Sequence, residues 1–213
     1  MSEQVSNGRR VTTMGASVVI LGLAQPALVA LALARVLDPG STTFEIIGVL
    51  VGLGMAAGAL ACALYVPSHH RAFTTTGALG VVAGLATAGV WLSWLGTDIN
   101  TGDLARVGVL LGSDVLFTVW LVAAALLMDR SWALAGFYEL TLLMSVRAVA
   151  EIWLLALLFT ASGGPGSQNL PMLFVAFAVL LGWLVLAVWE IAFGTRLIRR
   201  GLRSEQPHHS AAV

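Results

Sequence analysis

Residues 43–65 read Thr43-Phe44-Glu45-Ile46-Ile47-Gly48-Val49-Leu50-Val51-Gly52-Leu53-Gly54-Met55-Ala56-Ala57-Gly58-Ala59-Leu60-Ala61-Cys62-Ala63-Leu64-Tyr65, and the run is then broken by Pro67, Ser68, His69, His70 and Arg71. A stretch this long, with Glu45 its single acidic or basic residue, is the signature of a helix crossing a hydrocarbon core about 30 Å thick, which takes roughly 20 apolar residues. The pattern recurs along the chain. Helices are predicted at about 14–36, 43–65, 75–96, 105–128, 133–160 and 170–194. Asp38-Pro39-Gly40-Ser41 ends the first, the stretch from Gly96 to Asp103 ends the third, and Gly163-Gly164-Pro165-Gly166-Ser167 ends the fifth. Asp129-Arg130-Ser131 makes a tight turn between the fourth and fifth, because one helix of both runs would far exceed the membrane.

Composition agrees with this reading. Of 213 residues, 58% are hydrophobic and 10% charged, too little polar surface to clothe a water-soluble core. The predicted fold class is therefore all-α: a polytopic membrane protein forming a single domain over 1–213, with a basic and then flexible cytoplasmic tail at 196–213. The first run lacks a small-residue cleavage site and is expected to be retained as a helix. Arginine placement sets the orientation. Arg9, Arg10, Arg71, Arg130, Arg196, Arg199, Arg200 and Arg203 fall on one side of the six-helix plan, facing Asp38, Asp98 and Asp103 on the other. Both termini are thus expected in the cytoplasm, and the alanine-, glycine- and arginine-rich, lysine-free composition suggests a prokaryotic cytoplasmic membrane. Trp91, Trp94 and Trp132 stand where interfacial aromatics are expected. The basic segment from Thr195 to Ser204 is expected to lie against anionic lipid headgroups.

Several chemistries are disfavoured at this point. No lysine is present, so a retinal Schiff base cannot form. The single cysteine, Cys62, lies in an apolar run and reads as a small buried hydrophobe. The histidines, His69, His70, His208 and His209, lie in a loop and the tail, which argues against intramembrane haem or metal. No cofactor, no catalytic residues and no nucleic-acid partner are expected, and loops this short leave little room for an enzyme site.

The chain also resembles itself. Gly48-Val49-Leu50-Val51-Gly52 in the second run is echoed by Gly108-Val109-Leu110-Leu111-Gly112 in the fourth and by Ala178-Val179-Leu180-Leu181-Gly182 in the sixth. The chain then reads as three tandem helical hairpins, with Gly48, Gly52, Gly108, Gly112 and Gly182 as helix-packing positions; chance matching in a glycine- and alanine-rich chain is the competing explanation. The hairpin triplet and the closing stretch Gly182-Trp183-Leu184 through Trp189-Glu190-Ile191-Ala192-Phe193-Gly194-Thr195-Arg196-Leu197-Ile198-Arg199-Arg200 resemble the HdeD family of acid-resistance membrane proteins. The resemblance implies a non-enzymatic multi-pass protein linked to acid or envelope stress. It assigns no active site.

Ionisable residues at membrane depth are the remaining candidates, since each is costly unless paired or functional. Glu139, Leu143, Arg147 and Glu151 recur at four-residue steps on one face of the fifth run, and Asp114 in the fourth is the expected interhelical partner of Arg147. The set reads equally as a polar pathway for protons, ions or small solutes, or as a charge network that fixes helix register. A third reading is an accessory subunit of a homo-oligomer or larger membrane complex, with the charges meeting a partner. Gln25-Pro26 is expected to kink the first helix. Glu190 and Glu45 are expected near the two membrane boundaries and in contact with water.

Overall fold

The computed structural model describes residues 2–34, 43–66, 71–95, 104–128, 141–142, 144–146, 148–149 and 169–205. All the regular structure among them is helical. Helix α1 spans Ser2–Ala34, α2 Thr43–Tyr65, α3 Arg71–Trp94 and α4 Leu104–Leu127. Helix α5 is described at 141–142, 144–146 and 148–149, and α6 spans Asn169–Glu205.

Among the described residues, four stretches are long and apolar enough to cross a membrane: Glu45–Tyr65, Ala72–Trp94, Ala105–Leu127 and Leu181–Ser204. The outward surface of these and of the other described helices supports the same conclusion. Ile20, Leu23, Leu79, Val82, Leu85, Leu126, Val149 and Val188 all point outward. In water such a belt would drive aggregation, whereas in hydrocarbon it is the solvated face. The interior mixes alanines with large side chains, of which Phe73, Phe117, Trp120, Leu121, Leu186 and Leu197 are almost wholly enclosed.

The helices end by local means. The Val66 amide still donates to the Cys62 carbonyl at 3.1 Å, immediately before Pro67. At the end of α3 the Leu95 amide turns back to the Leu92 carbonyl at 3.2 Å, the tighter closure of a final turn. Helix α1 starts about three turns before the first apolar run, and α6 continues about three turns beyond the last one. At ~1.5 Å per residue, 33 and 37 residues make rods of about 50 and 55 Å, both longer than the hydrocarbon is thick. Helix α1 includes Pro26 within its length, as a kinked helix does.

Side by side, the helices run α4, α3, α2 and then the pair α1 and α6. Glycine decides how close they come. Along α1 and α6, small residues face each other at seven-residue steps in antiparallel register: Gly8 with Gly201, Gly15 with Gly194, and Gly22 with Ala187. A Cβ on Gly15 would stand 2.7 Å from the Gly194 carbonyl oxygen and 2.9 Å from the Ile198 amide. A Cβ on Gly194 would stand 2.6 Å from the Gly15 carbonyl oxygen. Only hydrogen fits at these points, so the two backbones touch. A seven-residue repeat keeps such a seam in line over many turns. It also places the start of α1 beside the end of α6. Helices α2 and α3 meet in a similar way, a Cβ on Gly52 standing 2.7 Å from the Gly84 carbonyl oxygen and one on Gly84 2.6 Å from that of Gly52. Elsewhere a glycine makes room for an indole, as Gly58 does for Trp189 and Gly80 for Trp120.

Candidate functional site

Two buried polar centres lie on opposite sides of α2 and α3. The first joins α3, α4 and α5. Asp114, ten residues into α4, is 5% exposed. Beside it in sequence, the Ser113 hydroxyl meets the Thr87 hydroxyl of α3 at 2.7 Å and is also 2.7 Å from the Leu110 carbonyl. One turn on, the Thr118 hydroxyl is placed between the Asp114 carbonyl at 2.9 Å and the Met144 carbonyl of α5 at 3.4 Å. Hydroxyls in apolar surroundings satisfy themselves on helix carbonyls, and here two of them also bridge to a neighbouring helix. Of the charge cluster expected from the sequence, Asp114 is the member placed here; Glu139, Arg147 and Glu151, with Leu143 between them, lie outside the described residues.

The second centre joins α1, α2 and α6. The Gln25 side-chain amide donates to Glu190 Oε2 at 2.8 Å. Gln25 is 1% exposed and Glu190 0%. This corrects the expectation that Glu190 reaches water at a membrane boundary. The expectation placed Glu190 by its distance from the end of its own apolar run, whereas its surroundings are set by α1 and α2, which enclose it. Its level is fixed by Gly54 of α2, whose missing Cβ would collide with both Glu190 oxygens and with Gln25 Nε2. Gly54 is nine residues from Glu45 and eleven from Tyr65, about 13 and 16 Å along the helix, which is the middle of that span. Pro26 adds to this centre from the backbone: it has no amide hydrogen for the carbonyl of Gly22, a residue packed against Ala187, Glu190 and Ile191.

Both oxygens that the Gln25–Glu190 bond does not use, Gln25 Oε1 and Glu190 Oε1, are buried and have no hydrogen-bond partner among the described residues. Buried polar atoms normally find one, so this pair stands out. Glu45 is also corrected: at 7% exposure it is buried at the N-terminal end of α2, with Oε2 unpartnered among the described residues. Nearby on α3, Trp94 is buried and Trp91 packs edge-on against both Trp94 and Trp183 of α6, so these indoles close the end of the bundle from within.

The expected packing glycines differ in role. Gly48 holds the Trp91 ring and Gly52 the α3 backbone, while Gly182 is buried in α6. Gly108 and Gly112 are exposed, with open space where a Cβ would be. The closest backbone approaches described lie between α1 and α6 and between α2 and α3, which belong to different hairpins of the expected triplet. Sequence reading missed the α1–α6 seam, although its signal was present in the spacing of Gly8, Gly15 and Gly22 against Ala187, Gly194 and Gly201. Cys62 is buried. The basic segment is helical, and Arg200 Nη1 donates to the Tyr65 carbonyl at 3.1 Å, tying α6 to the end of α2.

Compared with family models, with curated proteins and with solved structures, the chain matches none.

Proposed function

We propose that the protein is a non-enzymatic, multi-pass protein of the prokaryotic cell membrane, with six crossings and cytoplasmic termini, that passes protons or small cations between its helices. The observation that carries this reading is Asp114, a carboxyl side chain buried in the middle of an apolar helix and flanked by hydroxyls that bridge α3, α4 and α5. An acid at that depth is costly to keep unless it serves conduction or structure. A row of hydroxyls able both to donate and to accept is what proton or cation movement along a helix interface requires. Arg147 of the fifth run supplies the fixed positive charge in this reading.

The HdeD-like reading, with a role in acid or envelope stress, is the second one. It is supported by residues 182–200, which carry the resemblance and form the part of α6 that closes against α1. The two readings are compatible, since a stress protein of the envelope can act by letting protons through.

Proton and cation flux into liposomes under an imposed pH gradient tests the proposal, with the native chain compared to Asp114→Asn and Arg147→Ala. Flux that requires both residues supports a pathway. Flux no greater than in empty liposomes, together with thermal destabilisation of both variants, overturns it and makes the cluster a register-fixing network whose partners should then be sought.

A further inference from the structure

The Gln25–Glu190 centre stands apart from the Asp114 side and does not depend on the pathway proposed there. Three facts define it. The two side chains share one hydrogen bond, Gln25 Nε2 to Glu190 Oε2, at 2.8 Å. Each keeps one buried oxygen without a partner. Gly54 fits against the pair so closely that not even a methyl group could be added there.

Two oxygens facing a donor deficit need something that brings hydrogen or positive charge. A sodium-sized ion is a poor fit, because it takes about six oxygen ligands or retained waters, as hard cations do, and the space beside Gly54 is already filled. A water molecule would satisfy the oxygens but leave a full negative charge at membrane mid-depth. Among the described residues, the charged and titratable side chains on the packed helices are set well along the helix axes from the pair. On α2, Cys62 and Glu45 are eight and nine residues from Gly54, about 12 and 13 Å along the axis. On α6, Arg196 is six residues beyond Glu190, about 9 Å, and on α1, Arg10 is fifteen residues from Gln25, about 22 Å. A proton meets every requirement at once. It needs no added volume, it removes the charge, and it turns one orphaned acceptor into a donor for the other.

We infer that Gln25 and Glu190 form a proton-binding site, in which Glu190 holds a proton on Oε1 and donates it to Gln25 Oε1, closing a two-bond ring between amide and carboxylic acid. One proton is taken from water when the site fills and no other bond changes. Gly54 is a positioning residue, since its lack of a side chain lets the ring lie between three helices.

Infrared difference spectroscopy of the full-length protein in lipid reads this directly, because a protonated carboxylic acid has a carbonyl stretch separate from that of a carboxylate. Protein carrying glutamate labelled with carbon-13 at the side-chain carboxyl is expected to show a shifted acid band at neutral pH. That band should disappear in Glu190→Gln and persist in Asp114→Asn. In Gln25→Leu it should move to higher frequency, as an acid that has lost its acceptor. Should Glu190→Gln fail to fold, the label together with the Gln25→Leu shift decides the matter alone. The inference is overturned if the native protein has no labelled acid band, if the band survives Glu190→Gln, or if Gln25→Leu leaves it unmoved. Failure of the liposome flux leaves these readouts intact, so the two proposals fall separately.

Discussion

The two sides of this bundle solve the same problem in different ways. On the α1–α6 side, backbones meet directly at Gly15 and Gly194, and the polar centre is a single amide–carboxyl pair sealed under Gly54. On the α3–α4 side, an indole settles over Gly80, and polarity is spread over Thr87, Ser113, Asp114 and Thr118, each hydroxyl having a helix carbonyl or a second hydroxyl to turn to. The first side is rigid and intolerant of change because nothing there has an alternative. The second can rearrange hydrogen bonds without opening a gap, and this is why conduction is assigned to it.

The sharpest way to break this contrast is to add bulk at the seam. Gly15→Leu should prevent α1 and α6 from closing, and Gly15→Ala or Gly194→Ala should each cost about 1–3 kcal/mol, the range for overpacking a tight interior. Thermal unfolding in detergent measures this; near-native melting of Gly194→Ala would mean that the backbones do not touch. Next in size is Gln25→Leu, which leaves Glu190 without its donor and is expected to destabilise by about 1–3 kcal/mol. Thr87→Val should cost less, about 0.5–1.5 kcal/mol, because Ser113 keeps the Leu110 carbonyl as partner. If denaturation shows the two losses to be equal, the claimed difference between the centres is wrong. The smallest effect is expected at Gly108 and Gly112. Each to alanine should stabilise the isolated chain slightly, by up to about 1 kcal/mol from helix propensity alone. A clear loss there, together with a change in oligomer size by light scattering, would show that this face packs on another chain.

What was legible in the sequence follows from the kind of signal each feature leaves. The apolar runs announce helices because membrane thickness sets their length, as residues 43–65 show. The ends of α1 and α6 are less legible, since Arg9, Arg10 and the four arginines from Arg196 to Arg203 interrupt hydropathy without interrupting the helix. Asp114 stood out as a charge in an apolar run, and it is buried. Glu190 carried the same signal and was misplaced, because its depth depends on α2 and α1, which it meets only after folding. The glycine repeat in α1 is invisible to any window that scores apolarity. It acquires meaning only when set against its counterpart 165 to 193 residues away, with the order of one strand reversed.

The pairing of α1 with α6 has a consequence for the order of biogenesis. Helix α1 has α6 as its tightest neighbour among the described helices, so its glycine face and Gln25 stay uncovered until α6 has been made. A nascent chain halted after α4 would lack α5 and α6, the second of which covers that face. The interval between the synthesis of α1 and of α6 is therefore when that face lacks its cover, and sealing the seam is the event that ends it.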